Sequence, residues 1–319
     1  MTRYLIQRFI SLIPMLLGVS ILVFAAIRLV PGDLITAQLG TEAGMLSDEQ
    51  RAALEAFYGL DKPAVEQYFI WLGDVLTGNL GLSVRQGQPV LDLIFDRFPV
   101  TLQLALLSVI IALIIGIPLG ILSAIYRNTL LDIFARIFAM IGLSVPNFLL
   151  GTLIIYVLSV YFRILPNSGN YVEFFEDPVL NLQQVIFPAL TLGTSFAASV
   201  MRMTRSSMLE VLSEDYIRTA RSKGLLEAII IRRHALKNAL IPVVTLVGIE
   251  FGYLLGGTFI VEQIFAIPGI GRLTINAITQ RDYALVQGVT LFIAINFVLI
   301  NLLIDVVYTL LDPRVTYDD

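Results

Sequence analysis

The stretch Leu212-Ser-Glu-Asp-Tyr-Ile-Arg-Thr-Ala-Arg-Ser-Lys-Gly-Leu225, followed by Arg232-Arg-His-Ala-Leu-Lys-Asn-Ala-Leu-Ile-Pro242, is a basic, polar island between two long apolar segments. The chain around it is 57% hydrophobic and 14% charged, with a mean hydropathy of +0.83. Globular proteins are about 45–50% apolar and about 25% charged, so this composition indicates a membrane protein. A segment this polar must face water, and its positive excess predicts the cytoplasmic side.

Six apolar segments are long enough to cross a bilayer, because a helical span needs about 20 residues. They are 9–27, 100–124, 133–160, 185–203, 239–261 and 286–311. The first is longer than the core of a cleaved signal and has no small-residue cleavage site after it, so we expect it to be retained. Pro14, Pro118 and Pro146 lie inside spans, which membrane helices tolerate. The sequence predicts an all-α, polytopic membrane protein with six transmembrane helices.

Lysine and arginine are sorted by loop, and this asymmetry predicts the orientation. Residues 202–237 hold eight basic groups against four acids, whereas residues 33–97 hold ten acids against four bases. With six spans, both termini then fall on the cytoplasmic side. The predicted organisation follows from this alternation. It comprises a first span in 1–30, an extracytoplasmic helical cap in 31–98, a five-helix core in 99–311 that includes the cytoplasmic loop 204–238, and a cytoplasmic tail in 312–319.

The long acidic segment is predicted to form two short helices. Ser47-Asp-Glu-Gln50 is a capping box that opens a helix ending before Gly59, and Pro63 suits the first position of the next helix. Four apolar residues of this second helix share one face, which predicts an apolar underside. They are Val65, Phe69, Leu72 and Leu76. Trp71 either packs within this cap, which its position beside the stripe favours, or anchors at the membrane interface.

Several classes of chemistry lack their residues in this chain. It has no cysteine and one histidine, His234, so neither a thiolate nor a histidine-based metal site is expected, and we predict no metal or cofactor bound by the chain itself. No G-x-x-x-x-G-K-[ST] loop occurs, so any ATP must be bound by another subunit. No span holds two facing acids, which argues against an intramembrane protease or a redox enzyme. Transport is the remaining function.

The polar island resembles a known family. Asp215-Tyr-Ile-Arg-Thr-Ala-Arg-Ser-Lys-Gly224 and His234-Ala-Leu-Lys-Asn-Ala-Leu-Ile-Pro-Val-Val-Thr245 closely resemble the cytoplasmic loop of binding-protein-dependent ABC importer permeases of the dipeptide/oligopeptide/nickel subfamily. Further segments are similar to the B-type permease of that group, so the resemblance covers nearly the whole chain. They are Ile6-Gln-Arg-Phe-Ile10, Arg28-Leu-Val-Pro-Gly-Asp33, Asn79-Leu-Gly-Leu-Ser83, Phe187-Pro-Ala-Leu-Thr-Leu-Gly193, Val261-Glu-Gln-Ile-Phe-Ala-Ile-Pro-Gly-Ile-Gly-Arg272 and Asp312-Pro-Arg314.

The general loop pattern of such permeases is Glu-Ala-Ala, three residues, Gly, nine residues and Ile-x-Leu-Pro, and this chain matches it incompletely. Ala220, Gly224 and Leu236 occupy its positions. The residues that depart from it are Arg218, Thr219, His234 and Lys237. The register of the loop is therefore kept while its chemistry differs, so no contact can be argued from the glutamate that the general pattern carries.

The resemblance implies that residues 222–231 form a coupling helix, which enters a groove on an ATPase and turns at Gly224. The candidate ATPase-coupling residues are Asp215, Ala220, Ser222, Lys223, Gly224, Leu225, Glu227 and Leu236. From the charges alone, the alternative is a basic amphipathic helix lying on anionic lipid headgroups.

Polar residues inside spans are candidates for the translocation path. Glu250 lies mid-span beside glycines, and a buried charge costs at least about 2.5 kcal/mol at a helix centre. It either faces the central cavity or forms a hydrogen bond to a partner permease. Thr194 and Ser195 belong to an unusually small and polar fourth span, whose face either packs against other helices or lines a polar pathway. Asp305, nearer the inner end, is expected to pair with a base or to snorkel.

The loop after the fifth span contains Pro268, Gly269 and Gly271. By resemblance it lies at the outer mouth and helps to gate it. From its composition alone, it is a simple re-entrant turn capped by Gly269.

The resemblance also implies the fold and the partners. The fold is that of a type I ABC importer permease in the bacterial inner membrane. The partners are a homologous C-type permease, two ATP-binding subunits that supply ATP and Mg²⁺, an extracytoplasmic solute-binding protein and membrane lipid, with no nucleic acid. We expect di- or oligopeptides as the solute, because they are the common cargo of such permeases, although glutathione and nickel chelates are also carried by relatives.

Two other functions remain open at this point. An ion- or proton-coupled secondary transporter would need coupling carboxylates and usually internal repeats. The chain shows no convincing repeat, and only Glu250 lies deep in a span. A purely structural membrane scaffold would leave the polar island and the cap unexplained.

Overall fold

The computed structural model describes residues 2–29, 35, 44–57, 60–166 and 171–311. Within these ranges, the side chains of 2–7, 9, 57, 305 and 307–311 are not described. Several predicted features therefore lie outside the described residues: the tail 312–319, the segment 31–34, Gly59 and the side chain of Asp305. The described ranges contain helices and no strand; Leu82 and Pro89 form an isolated antiparallel bridge.

The described helices, in chain order, begin with α1 (Thr2–Arg28), α2 (Asp48–Phe57), α3 (Ala64–Leu76) and α4 (Val90–Ile125). Then follow α5 (Leu130–Ser144), α6 (Asn147–Val157, continued as a π-helix over Leu158–Phe162) and α7 (Pro178–Leu212). The polar island forms α8 (Asp215–Ser222) and α9 (Glu227–Ala239, π-helical over Ile230–Ala235). The chain continues with α10 (Ile241–Leu255), α11 (Phe259–Ile264), α12 (Ile270–Thr279) and α13 (Tyr283–Leu311).

Helices α1, α4, α7 and α13 are each long and apolar enough to cross a membrane. Two bent pairs, α5 with α6 and α9 with α10, pass the same test as pairs, which gives up to six spans among the described residues. The all-α, six-span prediction is met if each bent pair is one span. Pro14 and Pro118 lie inside continuous helices, as the span assignments require.

Several predicted boundaries are wrong. The third span is not straight, because α5 and α6 meet at 101° where Pro146 starts a new helix. A proline ring clashes with the preceding turn, so a proline can end a helix as well as kink it. The fifth span ends at Leu255 and not at 261. The boundary at 98 between cap and core stays a prediction; helix α4 begins at Val90 and runs across it.

The centre of the molecule is the packing of α4 against α7, made possible by small residues. A Cβ at Gly116 would lie 2.8 Å from the carbonyl oxygen of Ala197, and one at Gly120 would lie 2.6 Å from the Cβ of Thr204. A Cβ at Gly193 would lie 2.8 Å from the Cβ of Ile111. Close approach of this kind is how membrane helices gain packing energy without a hydrophobic driving force. The small face of the fourth span therefore serves largely for packing.

The capping box of α2 is confirmed. The backbone N–H of Gln50 donates to Ser47 Oγ at 3.2 Å, and the N–H of Ser47 donates to Gln50 Oε1 at 3.0 Å. The predicted apolar underside of α3 is wrong, since Val65, Phe69 and Leu76 are 63–79% exposed.

Another face of α3 packs against α1 instead. The Tyr68 hydroxyl lies 2.8 Å from Ser20 Oγ, and the ring of Trp71 lies 5.6 Å from that of Phe24. Arg28 Nε donates to Gln67 Oε1 at 2.9 Å. This face of α3 packs on α1 because of polar contacts, which the spacing of apolar residues does not predict. Trp71 thus packs between the cap and the first helix.

Candidate functional site

The polar island is folded onto one end of the helix bundle, here called the loop end. Helix α7 continues to Leu212, so the predicted loop 204–238 begins within the last turns of this helix. The predicted single helix over 222–231 is wrong: α8 ends at Ser222, and α9 begins at Glu227 after a break. Gly224 lies in this break with φ +76°, a left-handed conformation that glycine adopts without strain.

The break carries an ion pair across it. Arg221 donates through Nη2 to Glu227 Oε1 at 2.6 Å and through Nε to Glu227 Oε2 at 3.2 Å. The hydrogen bond to the Glu227 carboxylate raises the pKa of the Arg221 guanidinium. Both side chains are exposed, so the pair adds little stability, although its forked geometry spans the break between α8 and α9.

The inner face of the island is a small apolar core. Ile217 and Ala220 of α8 are buried with Ile230 of α9 against Ala124 of α4 and Met208 of α7. Leu236, partly buried, packs on the same cluster. Two of the candidate coupling residues, Ala220 and Leu236, therefore face the bundle. They can act by holding the island on α4 and α7 and not by direct contact with another subunit.

The outer face of the island holds the other candidate coupling residues, all of them exposed. They are Asp215, Ser222, Lys223, Gly224, Leu225 and Glu227. Among them lie apolar side chains that sequence analysis did not single out: Leu226 is 71% exposed, and Tyr216 and Ile229 are each 41% exposed. A charged loop that also presents several apolar side chains to water is typical of a surface that a partner covers.

A buried ion pair ties three helices together near the island. Asp132, at the start of α5, is fully buried and accepts from Arg205 Nε at 2.8 Å and Nη2 at 3.1 Å. Ser123 of α4 donates to the same carboxylate at 2.6 Å, and the N–H of Asn128 donates at 3.0 Å. Sequence analysis missed this group, because Arg205 was counted only as a loop charge and Asp132 lies beside the span boundary.

At the opposite end of the bundle, here called the cap end, the loop 265–271 surrounds a buried carboxylate. Glu262 is fully buried and accepts from the Thr101 hydroxyl at 2.9 Å and from the Arg272 N–H at 3.0 Å. Burial raises the pKa of the Glu262 carboxyl, and the hydrogen bonds from Arg272, Thr101 and Gly271 oppose that rise. The carboxylate therefore binds the N-terminal end of α12, where free N–H groups favour an anion.

The glycines of this loop serve close packing. A Cβ at Gly269 would lie 2.5 Å from the Glu262 carboxyl carbon and 2.5 Å from Thr101 Oγ1, and one at Gly271 would lie 2.8 Å from Phe259 Cα. Neither glycine needs a positive φ. Pro268 lines a cleft beside them. The loop is thus a turn fixed by Glu262, and sequence analysis missed the acid that fixes it.

The predicted path residues lie on neighbouring helices. Glu250 on α10 is half-buried, and within the described part of the chain no hydrogen bond or ion pair engages its carboxylate. Thr194 on α7 is half-buried and donates to the carbonyl of Leu190 at 2.7 Å, a bond within its own helix. Ser195 is half-buried beside it. Helices α7 and α10 are in contact, but no hydrogen bond among the described residues joins Glu250 to Thr194 or Ser195.

The chain has close relatives along its full length. It is 42% identical to the glutathione transport system permease protein GsiC of Escherichia coli O6:H1, covering 99% of this chain and 100% of the relative. It is also 42% identical to a putative peptide transport system permease protein of Brucella suis biovar 1, covering both chains completely. An inward-facing structure of the MetNI methionine ABC transporter matches 69% of this chain and 96% of that chain, with a TM-score of 0.53 and 21% identity, which indicates a shared fold.

Two family models cover almost all of the sequence. Residues 1–105 match the N-terminal model of binding-protein-dependent transport system membrane components, and residues 116–317 match the model of the inner membrane component itself. This agrees with the resemblance carried by the polar island and with the fold shared with an ABC transporter. The chain belongs to the family of inner membrane components of binding-protein-dependent transport systems, and it is a permease of that class.

Proposed function

We propose that this permease is one of two homologous subunits of an ATP-driven importer that carries small peptides or glutathione-like solutes inward. The observation that supports this most strongly is the two-sided polar island. Its inner face is packed on α4 and α7, while its outer face presents Leu226, Ile229 and charged groups to water. A surface built this way can receive a push from a soluble partner and pass it to the bundle.

The partner at this surface is an ATP-binding subunit, which holds the ATP and Mg²⁺. Closure of two such subunits displaces α8 and α9, and the buried contacts of Ile217 and Ala220 move α4 and α7 with them. The buried pair of Asp132 and Arg205 keeps α5 in the same moving unit. This movement of the helices requires that the ATPases bind one conformation of the permease more tightly than the other.

The proposed orientation places the loop end and both termini in the cytoplasm, with the cap end outside. The excess of basic residues in 202–237 and of acids in 33–97 supports it. The cap helices α2 and α3, the loop 265–271 and the start of α7 then face the binding protein. Pro268, Gly269 and Gly271 act in outer gating as parts of a rigid body, because Glu262 binds the start of α12.

Within the bundle, Glu250 is the proposed polar contact of the translocation path. A half-buried carboxylate that has no partner in the described part of the chain is available to a solute amine, or to a residue of the second permease. Thr194 and Ser195 on the adjoining helix complete this polar face. The solute class rests on the names of the relatives, which include glutathione and peptide transport permeases.

Purification from membranes tests the assignment of the partners. The tagged chain should copurify with a homologous permease and an ATPase that carries a P-loop. The Leu226→Ser variant should retain the permease and lose the ATPase, because it removes only an exposed apolar contact. Recovery of the chain without any ATPase, under conditions that keep the two permeases together, would contradict the proposal.

A further inference from the structure

A cleft at the cap end carries two arginines and, among the described residues, no acid. Its volume is about 170 Å³, and its polar lining is Gln86, Arg97, Arg272 and Asn276, with Pro268 and Leu273 as apolar wall. Arg97 is half-buried, and in the described part of the chain no carboxylate pairs with it. The cleft is lined by basic residues, although part of its wall comes from the segment 33–97, in which acids outnumber bases.

The walls of the cleft are fixed by two buried carboxylates. Glu262 binds the start of α12, the helix that carries Arg272 and Asn276. On the other side, Asp282 accepts from the Ser83 hydroxyl at 2.5 Å and from the N–H of Arg85 at 3.4 Å, which pins the turn that carries Gln86. The backbone segments around the cleft are therefore held on a rigid frame, and the Arg272 guanidinium is oriented by its bond to the carbonyl of Ala266. Preorganised donors bind a ligand with less loss of entropy.

The chemistry of the lining selects a carboxylate. Arginine presents a planar fork of N–H donors that matches a carboxylate in a bidentate manner. Arg272 Nη1 donates to the carbonyl of Ala266 at 2.8 Å, which orients the guanidinium and leaves its other donors directed elsewhere. Among the described residues, Arg97 makes no bond that competes with such a ligand. The amides of Gln86 and Asn276 can each add one donor.

The size of the cleft decides between two sources of this carboxylate. Sites for whole small molecules are usually about 300–1,000 Å³, so about 170 Å³ suits a single side-chain head better than a complete solute. Gln86 and Asn276 are exposed, so the cleft is also accessible to a protein surface. Transport in this family depends on a binding protein, which approaches from the side where the cap end is proposed to lie.

We infer that this cleft is a docking site of the permease for the extracytoplasmic binding protein, and that it takes one aspartate or glutamate side chain of that partner between Arg97 and Arg272. This inference rests on the proposed function and on its orientation. It assigns docking to a specific cleft, next to the turn that Glu262 fixes, and to a specific contact, that of a carboxylate with arginine. It also explains why Arg97, at the end of the acidic segment 33–97, has no acid partner among the described residues.

The test uses the complete assembly in lipid nanodiscs and the binding protein that supports ATP-dependent uptake with this chain. The dissociation constant for docking and the binding-protein concentration for half-maximal ATP hydrolysis are measured at several salt concentrations. Arg97→Gln should raise both at least about fivefold at low salt and flatten their salt dependence. Arg272→Lys, which keeps the charge but loses the fork, should raise them less. Arg163→Gln, an exposed arginine outside the cleft, is the matched control and should change neither.

Each other outcome is informative. Unchanged docking by Arg97→Gln overturns the inference, and so does a loss of the second permease from the purified variant, which would assign the cleft to a contact between permeases. Unchanged docking with slower uptake of carboxylate-bearing solutes alone would also overturn it, in favour of a solute subsite. If no binding protein stimulates the wild-type assembly, the proposed function itself fails. A lysine substitution in the binding protein that restores docking to Arg97→Glu would identify the partner carboxylate.

Discussion

Glu262 and Thr101 lie 161 residues apart in the chain and are joined by a hydrogen bond of 2.9 Å between two buried side chains. Thr101 Oγ1 in turn accepts from the N–H of Ile270 at 2.8 Å, while Glu262 accepts from the N–H of Arg272. One carboxylate and one hydroxyl thus bind the start of α12 to α4. The cap end is fixed by this polar contact as much as by apolar packing.

Replacing Glu262 by Gln should destabilise the cap end. The amide keeps the size of the side chain but offers one acceptor oxygen in place of two, so one buried N–H or hydroxyl loses its partner. Such a loss costs about 1–3 kcal/mol. Thermal unfolding of the purified assembly should show it as a lower transition temperature. Glu176→Gln, at an exposed position of the same end, is the control, and equal shifts in the two variants would refute the structural role of Glu262.

Removing the carboxylate of Asp132 should destabilise the loop end more strongly. Asp132→Ala removes the carboxylate that pairs with Arg205 and leaves the guanidinium beside a buried site. Breaking a buried ion pair in this way costs about 3–5 kcal/mol. Arg136 is a matched control, because it lies 3.7 Å from the same carboxylate but is 51% exposed. Arg136→Gln should change the unfolding temperature little. A similar effect of both variants would mean that Asp132 contributes no more than a surface charge.

Gly224 should tolerate asparagine but not valine. A Cβ there meets no atom within 4 Å, so the only obstacle is the positive φ, which costs most other residues about 1–2 kcal/mol and a β-branched residue more. Gly224→Val should insert normally but hydrolyse more ATP for each solute imported. Gly224→Asn should stay near the wild-type ratio. Normal coupled uptake by Gly224→Val would contradict the role of this turn in coupling.

Leu226→Ser should weaken binding of the ATPase without affecting the fold. A leucine side chain contributes about 1.5–3 kcal/mol when a partner buries it, so the dissociation constant should rise at least about tenfold. Leu76 is 79% exposed at the cap end, and Leu76→Ser is therefore the matched control. Titration of the purified permease pair with the ATPase measures the dissociation constant for each variant. Equal affinities in all three proteins would exclude Leu226 from the interface.

Glu250→Gln distinguishes a path residue from a structural one. The substitution removes the charge and keeps the shape. If the carboxylate contacts the solute, uptake rates for solutes with a free amino group should fall several-fold, while solutes with an acetylated amine should be affected less. If Glu250 instead bonds to the second permease, the amount of intact permease pair recovered should fall. Unchanged rates and unchanged selectivity would remove Glu250 from the path.

The sequence predicts the architecture well where hydropathy decides it. Long apolar runs yield α1, α4, α7 and α13, and the pair Ser47 and Gln50 caps α2 as its spacing predicts. Periodicity was misleading for α3, where polar contacts of Gln67 and Tyr68 with α1 select the buried face. Pro146 could not be assigned from sequence, because a proline in a membrane helix can be tolerated or can end the helix, depending on the helices around it.

The candidate site was predicted in part. Asp215, Lys223 and Gly224 lie on the exposed face of the polar island, and their role in coupling stays a prediction. Pattern matching could not distinguish residues that face a partner from residues that hold the island, such as Ala220 and Leu236. The buried acids Asp132, Glu262 and Asp282 were missed, because their donors come from helices distant in sequence. Only the fold brings these groups together.

The most direct test of the account is uptake into proteoliposomes that contain this chain, its partner permease and the ATPase. We expect a labelled dipeptide or glutathione to accumulate only when ATP and the binding protein are both supplied on their proper sides, and Gly224→Val to lower the accumulation per ATP hydrolysed. Accumulation by this chain alone, driven by an ion gradient without ATP, would contradict the account.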